Sequence, residues 1–532
     1  MKRLLSTLLV LTLLLAAGMV PAGAEGELLD GGVTNATGYP IVNEPIELEV
    51  AIWYASGVSY EYDDLAIVQK IAEDTGIQLK FRIYTEQEKV QLMYASADYP
   101  DISWRLDGSD TPKLDAIEAG DVVCLDDYMQ YAPNIAALFE EYPNIKLQAT
   151  NAADGRIYAF PFFEDWDSTF GLRDCTLINR VWLDELGLEI PTTLDELLEV
   201  LRAFKAAAGT GSIPENVIPY YMYYPSAIGS IFDFICSFGV YVYDSNWEAV
   251  IDQQYCYQAI NPEIIEPIQY LAQMYEEGLV NQNMFTDSWN EYSNIFNSDP
   301  PVAGITAGYA NADTQNYCMD GSYYPMAPVD TGNGKQPYTR TQAYGSSWPS
   351  NFMIYKTNEY PVASVRLADY LCSTEMSYNM RFGMQGYYWD YNEDGVPYIM
   401  NYGIKNDELA PYSGFNNMGF TICKCNDMIN PTEEVEGSRD WAIANVYADY
   451  TVQYTYPRLP NIQLDEIEND RLSDLKTDLS ACVDNYIARW IVGEGDIAEE
   501  WDAYIAEMEA IGVEEYIELQ QKKLDMAYAL GE

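Results

Sequence analysis

Residues 46–83 carry three pieces: Ile46-Glu47-Leu48-Glu49-Val50-Ala51-Ile52, then Leu65-Ala66-Ile67-Val68-Gln69-Lys70-Ile71 running on to Gly76, then Ile77-Gln78-Leu79-Lys80-Phe81-Arg82-Ile83. The first piece alternates apolar and polar residues with the two-residue period of a strand. In the second, Leu65, Val68 and Ile71 recur at helical spacing, and Gly76 supplies the left-handed residue that ends such a helix. The third alternates again. Strand, helix and strand in this order predict a βαβ unit and a sheet that starts parallel.

Helical patterns become frequent further along. Thr193-Leu194-Asp195-Glu196 is a capping box, and Leu194, Leu197, Leu198, Leu201 and Phe204 follow on one face. Pro262 opens another helix, with Ile265, Ile268 and Leu271 inward and Gly278 beyond its end. Pro361 precedes Ala363, Val365, Leu367 and Tyr370. Ile497, Trp501, Tyr504, Ile505 and Met508 predict a helix ending near Gly512, and a last helix runs to about Leu530. Residues 300–350, rich in Gly, Pro, Asn and Ser, read as strands and crossing loops. Residues 25–45 read as a flexible leader. There is no internal repeat.

The chain has 532 residues, which at about 100–200 residues per domain predicts two or more domains. It carries 28 Lys+Arg against 83 Asp+Glu, a formal net charge of −55. A nucleic-acid binder neutralises phosphates with Lys and Arg, so that partner class is excluded. Anionic membrane surfaces are disfavoured for the same reason. There is no histidine, which removes Ser-His-Asp and Cys-His catalysis, histidine-ligated zinc and a histidine pH switch. Carboxylate chemistry and binding without chemistry both stay open.

Met1, Lys2 and Arg3 precede an apolar run from Leu4 to Val20 and then Pro21-Ala22-Gly23-Ala24. This is the layout of a secretory signal peptide, residues 1–24, cleaved after Ala24. No cysteine follows the run, so the attachment site of a bacterial lipoprotein is missing. No later stretch reaches the ~18–20 apolar residues of a spanning helix. The expected location is exported, extracellular or associated with the cell envelope. The nine cysteines form no paired CxxC spacing, and no disulfide pair is assigned.

Several stretches stand in a telling order: Ile71-Ala72-Glu73-Asp74-Thr75-Gly76-Ile77, Tyr99-Pro100-Asp101-Ile102, Cys124-Leu125-Asp126-Asp127-Tyr128, Asp154-Gly155-Arg156-Ile157-Tyr158-Ala159-Phe160-Pro161, and Ile178-Asn179-Arg180-Val181-Trp182-Leu183 leading to Pro191-Thr192-Thr193. In that order they resemble the family 1 extracellular solute-binding proteins, the substrate-capturing components of ABC importers. The length and the Trp501-Asp502-Ala503-Tyr504 segment are similar to the oligosaccharide-type branch. The resemblance implies an α/β, two-lobed periplasmic-binding-protein-like (type II) fold with the ligand cleft between lobes. It puts lobe I at 46–165, completed by about 326–385, and lobe II at 166–325, completed by about 386–532. The first crossing is expected near Phe162–Thr169 and the second near Tyr324–Val329. The implied function is capture of an oligosaccharide and delivery to the permease subunits of an ABC transporter by hinge closure. The protein is then a monomer and no enzyme, with no catalytic residues, no cofactor and no metal.

Sugars offer apolar C–H faces to aromatic planes and hydroxyl rims to carboxylates and amides. The ligand-binding candidates are therefore aromatics in loops after strands, with carboxylates beside them. Tyr54 follows the first strand, next to Trp53. Trp104 and Asp107 flank Arg105 after the Asp101-Ile102 strand. Glu164 and Trp166 flank Asp165 in the expected crossing. Tyr224, Tyr309 and Trp348 complete the set; Trp289 stands on a similar Gly/Asn/Ser-rich loop, and Tyr387, Tyr388 and Trp389 read as cleft wall or core. Asp390-Tyr391-Asn392-Glu393-Asp394-Gly395 matches half a calcium loop, but its twelfth position is Asn401, so a β-hairpin turn explains it better. The alternatives are a secreted glycoside hydrolase or lyase using paired carboxylates, or the same scaffold with a peptide ligand.

Overall fold

The computed structural model describes residues 28–53, 62–106, 111–151, 154–165, 174–224, 229–242, 246–309, 322–339, 346–400, 408–415, 419–429, 436, 439–450, 464 and 466–531. The expected signal peptide lies outside them. Along the chain, the strands of the two main sheets are β1 (Ile46–Trp53), β2 (Ile77–Tyr84), β3 (Ile102–Trp104), β4 (Ala159–Glu164), β5 (Asp174–Asn179), β6 (Ile218–Tyr220), β7 (Ala303–Tyr309), β8 (Tyr323–Pro325), β9 (Ser346–Ile354) and β10 (Ile422–Cys423).

The βαβ unit forms as its pattern predicts. β1 and β2 pair in parallel from Ile46↔Ile77 to Trp53↔Tyr84. Between them α1 (Ala66–Thr75) buries Ile67, Val68 and Ile71. Gly76 is needed twice over. Its φ is +81°, and a Cβ there would lie 2.7 Å from Val42 Cγ2. The first sheet is six-stranded, in the order β10-β4-β9-β3-β1-β2. The second is four-stranded, in the order β8-β5-β7-β6. β3, β4 and β10 run with β1, and β9 alone runs against them.

Each sheet has its own core. The first joins Ile52, Ile102, Ile135, Phe160, Val365 and Ile422. The second joins Ile178, Leu201, Ile268 and Ile305 to Leu475, Ile487 and Tyr504 of the C-terminal helices. Those helices are Glu466–Ile491, Ile497–Ile511 and Val513–Gly531. The capping box at Thr193 and Glu196 is present in full, opening the helix Leu194–Ala206.

Three boundaries differ from expectation. Residues 28–45 are a folded part of the first lobe, with Ile41 and Val42 in its core. Asp30 caps the helix Pro361–Leu371 through the N–H groups of Val362 and Ala363. Arg366 donates to the carbonyls of Asn35 and Gly38. Next, Tyr323–Pro325 is a strand of the second sheet, and Met326 and Val329 sit in the second core. The return to the first lobe therefore comes after Thr339, whose N–H bonds the Tyr450 carbonyl. Last, residues 386–429 complete the first lobe, because Ile422 and Cys423 pair with β4. The chain thus passes between lobes a third time, between Ile429 and Arg439.

Asp369 ties the helix Pro361–Leu371 to the helix Pro133–Glu141, accepting from Asn134 N (2.7 Å), Ile135 N (3.1 Å) and Asn134 Nδ2 (2.9 Å). Burial dominates and pushes its carboxyl up to about 6. The folded state therefore holds this proton to higher pH than the unfolded chain. The contribution is full below the unfolded value of about 4 and is lost as pH rises through about 6. Measured by urea denaturation, Asp369→Asn should gain stability relative to wild type between pH 4 and 7. Arg366→Met is expected to lose about 1.5–3 kcal/mol in the same assay. Deleting residues 28–45 should lower the melting point, where removal of a flexible leader would leave it unchanged.

Candidate ligand site at the strand ends

Open α/β sheets take ligands beyond the carboxyl ends of their strands. In the first sheet that edge is formed by Trp53, Trp104, Glu164 and Cys423, with Ser346 at the start of antiparallel β9. Ser346 and Cys423 both pair with Glu164. In the second sheet the same kind of edge holds Tyr220, Tyr309 and Asp174, and Tyr309 pairs with Asp174. Residues 165–173 alone connect Glu164 to Asp174, so the two edges are tethered to each other.

The second lobe carries an aromatic stack beside its edge. Tyr223, just past β6, stacks on Tyr292 with centroids 5.6 Å apart at 20°. Trp289 lies 5.1 Å from the same ring and is 43% exposed. Ser288 and Glu291 cap the helix Trp289–Phe296 that presents both residues. Tyr292 Oη donates to the Ala307 carbonyl of β7, at 2.9 Å. Behind the stack, Tyr221 Oη donates to Asp287 at 2.9 Å, and Asn281 Nδ2 donates to the same carboxylate. Burial, then this hydrogen bond, holds the Tyr221 phenol well above its ordinary range.

In the first lobe the edge is braced by charge. Glu164 forms a buried ion pair with Arg381. Asp165, the next residue, accepts from Tyr142 Oη (3.0 Å) and Asn426 N (3.1 Å), while its own N–H donates to the Cys423 carbonyl. Burial raises the Asp165 carboxyl, against the pull of these hydrogen bonds. Asp165 therefore ties the start of the first crossing to the segment that leads into the third.

Three of the sequence candidates are committed elsewhere. Trp104 is 0% exposed, edge-on to Phe81 and Phe415 at 5.9 and 5.4 Å, so its ring packs in the core. Glu164 belongs to its ion pair. Tyr224 is buried and donates to Asp484 at 2.7 Å, which joins it to the C-terminal helices. Tyr54, Asp107 and Trp166 lie outside the described residues. Tyr309 ends β7 at the ligand edge, and Trp348 pairs with Phe162 inside β9. The side chains of these two lie outside the described set. Tyr388 and Trp389 are core, whereas Tyr387 is exposed and stacks on Tyr412 at 3.7 Å. The sequence points to Trp289 by its loop, whereas Tyr223 and Tyr292 are singled out only by the stack they form with it.

The Asp390–Gly395 letters form the turn of a hairpin, Trp389–Tyr391 against Pro397–Ile399. Asn392 Oδ1 accepts from Asp394 N and Val396 N, closing the turn. Asn401 lies outside the described residues, and no His/Cys/Asp/Glu cluster suited to a metal occurs among those described. A cavity of about 20 Å3 inside the second lobe has room for little more than a water. The described cysteines are all free thiols. No described helix is long and apolar enough to cross a membrane.

A family model for bacterial extracellular solute-binding proteins matches residues 60–377, more than half of the chain. The chain belongs to that family. This solute-binding protein is 24% identical over 480 residues to the fructooligosaccharide ABC transporter substrate-binding protein FusA of Streptococcus pneumoniae serotype 4, covering 87% of each chain. The structure of FusA in complex with kestose superposes with a TM-score of 0.78 at 21% identity, covering 91% of this chain and 100% of that one. A solute-binding protein from Bifidobacterium longum infantis described as HMO-binding gives 0.74 at 19% identity, covering 91% and 99%. The mixed α/β, two-lobed fold is shared by these proteins.

Trp104→Ala is expected to cost about 3–5 kcal/mol of stability in the ligand-free protein, read by urea denaturation. Tyr224→Phe leaves Asp484 short of a donor and should cost about 1–3 kcal/mol.

Proposed function

We propose that this solute-binding protein captures a neutral oligosaccharide between its lobes and delivers it to the permease subunits of an ABC importer. The observation that carries the reading is the Tyr223–Tyr292–Trp289 stack beside the strand ends of the second lobe. An exposed indole at such an edge offers a flat apolar face to a sugar ring, and nearby amides and carboxylates can meet hydroxyls. The net charge of −55 repels anionic ligands and favours neutral ones. FusA, whose name states fructooligosaccharides, and the HMO-binding relative make short neutral glycans the first class to try.

Capture works by hinge closure. Three passages between lobes act as the hinge, and ligand shifts the population towards the closed form. The chain acts as a monomer and performs no chemistry on its cargo. The basic start and apolar run of residues 1–20 support export.

Isothermal calorimetry against kestose, nystose, milk-type oligosaccharides and short peptides tests this, with chromatography of the recovered ligand. Saturable binding of an oligosaccharide recovered intact is expected, and Trp289→Ala should weaken it more than tenfold. Cleaved glycan, or binding confined to peptides, would sink the proposal.

A further inference from the structure

Strand β9 is irregular where it crosses the ligand edge. Its register with β4 shifts between Trp348 and Phe352, the mark of a bulge. Bulges gather beside binding sites because they re-aim a side chain. Asn351 sits in this bulge. Its backbone carbonyl accepts from Arg105 N at 2.8 Å. Arg105 is the first residue past β3 and has φ +34°, a left-handed conformation that a non-glycine residue adopts only when its surroundings demand it. Phe352, the next residue, pairs with Trp104. Asn351 is therefore level with the carboxyl end of β3, where the sheet should meet its ligand.

The Asn351 side chain is 1% exposed, and neither its Nδ2 nor its Oδ1 has a hydrogen-bond partner. Buried amides are nearly always satisfied, so an orphan at a ligand edge calls for an explanation. Trp104 Nε1, at the same strand end, is also buried without a partner. A core amide kept for structure would have its donor and acceptor in use. One kept for a ligand is left open until the ligand arrives, at a cost to the empty fold.

We propose that Asn351 is a ligand-binding residue of the first lobe, its amide giving one donor and one acceptor to adjacent hydroxyls of the bound sugar. This rests on the oligosaccharide-capture reading and names the polar anchor opposite the aromatic stack. A vicinal diol matches the two atoms, since one hydroxyl can accept while its neighbour donates.

The test uses the full mature chain and Asn351→Leu, with Asn351→Ser as a second variant that keeps a small polar group. The probe is the tightest-binding oligosaccharide of the calorimetric panel. Asn351→Leu is expected to lose more than tenfold in affinity while its ligand-free melting point holds or rises, because an orphaned amide has been removed. Asn351→Ser should fall between the two in affinity. Affinity within threefold of wild type in both variants would overturn the proposal. So would a ligand-free melting point lowered by several degrees in Asn351→Leu, which would make the amide a structural group. If wild type binds no oligosaccharide, the capture reading fails separately. The melting comparison still decides whether Asn351 is held open for another solute or is structural.

Discussion

The buried pair between Glu164 and Arg381 is the contact on which the rest depends. Glu164 ends β4, which is paired on one side by β9 and on the other by β10. Its charge is out of water, and so is that of Arg381. Each is tolerable only because the other is present, since a lone buried charge costs several kcal/mol. The pair pins the last residue of a lobe I strand directly before the chain departs for lobe II. Asp165 extends the anchorage by one residue, to Tyr142 and Asn426. Rigid ground is therefore held up to the point where the hinge has to begin.

Much of this architecture could be read from residue order. The period-2 and helical patterns of residues 46–83 specified the parallel pairing of β1 with β2, and Thr193 with Glu196 specified a helix start. Local signals sufficed there because each element states its own boundaries. The folding of residues 28–45 was not legible. Gly, Asn, Thr and Pro describe irregular backbone, and they do not reveal that Asp30 and the Asn35 carbonyl will be held by Val362 and Arg366, more than 300 residues away in sequence. The helix Glu466–Ile491 was missed for another reason. Leu472, Leu475, Leu479 and Val483 recur at helical spacing, but frequent charged residues dilute the signal.

The site was less legible than the fold. An aromatic residue at a strand end looks the same in sequence whether it roofs a core, as Trp104 does, or faces solvent, as Trp289 does. With 46 tyrosines in the chain, composition cannot separate those cases. What distinguishes them is the company kept in space: Phe81 and Phe415 around Trp104, Asp484 on Tyr224, Arg381 on Glu164. Asn351 shows the reverse case, a common residue made notable by a buried side-chain amide without a hydrogen-bond partner.

The placement of β10 bears on the order of events during synthesis. The first lobe receives this edge strand only at Ile422–Cys423, and the second core requires residues out to Leu524. Neither core can close while most of the chain is still being made. Such long-range closure is slow, since distant segments must meet before their contacts reward them. The second lobe of a chain built this way stays open until its C-terminal helices emerge, and an open lobe is the state in which a polypeptide can still be passed through a translocation pore.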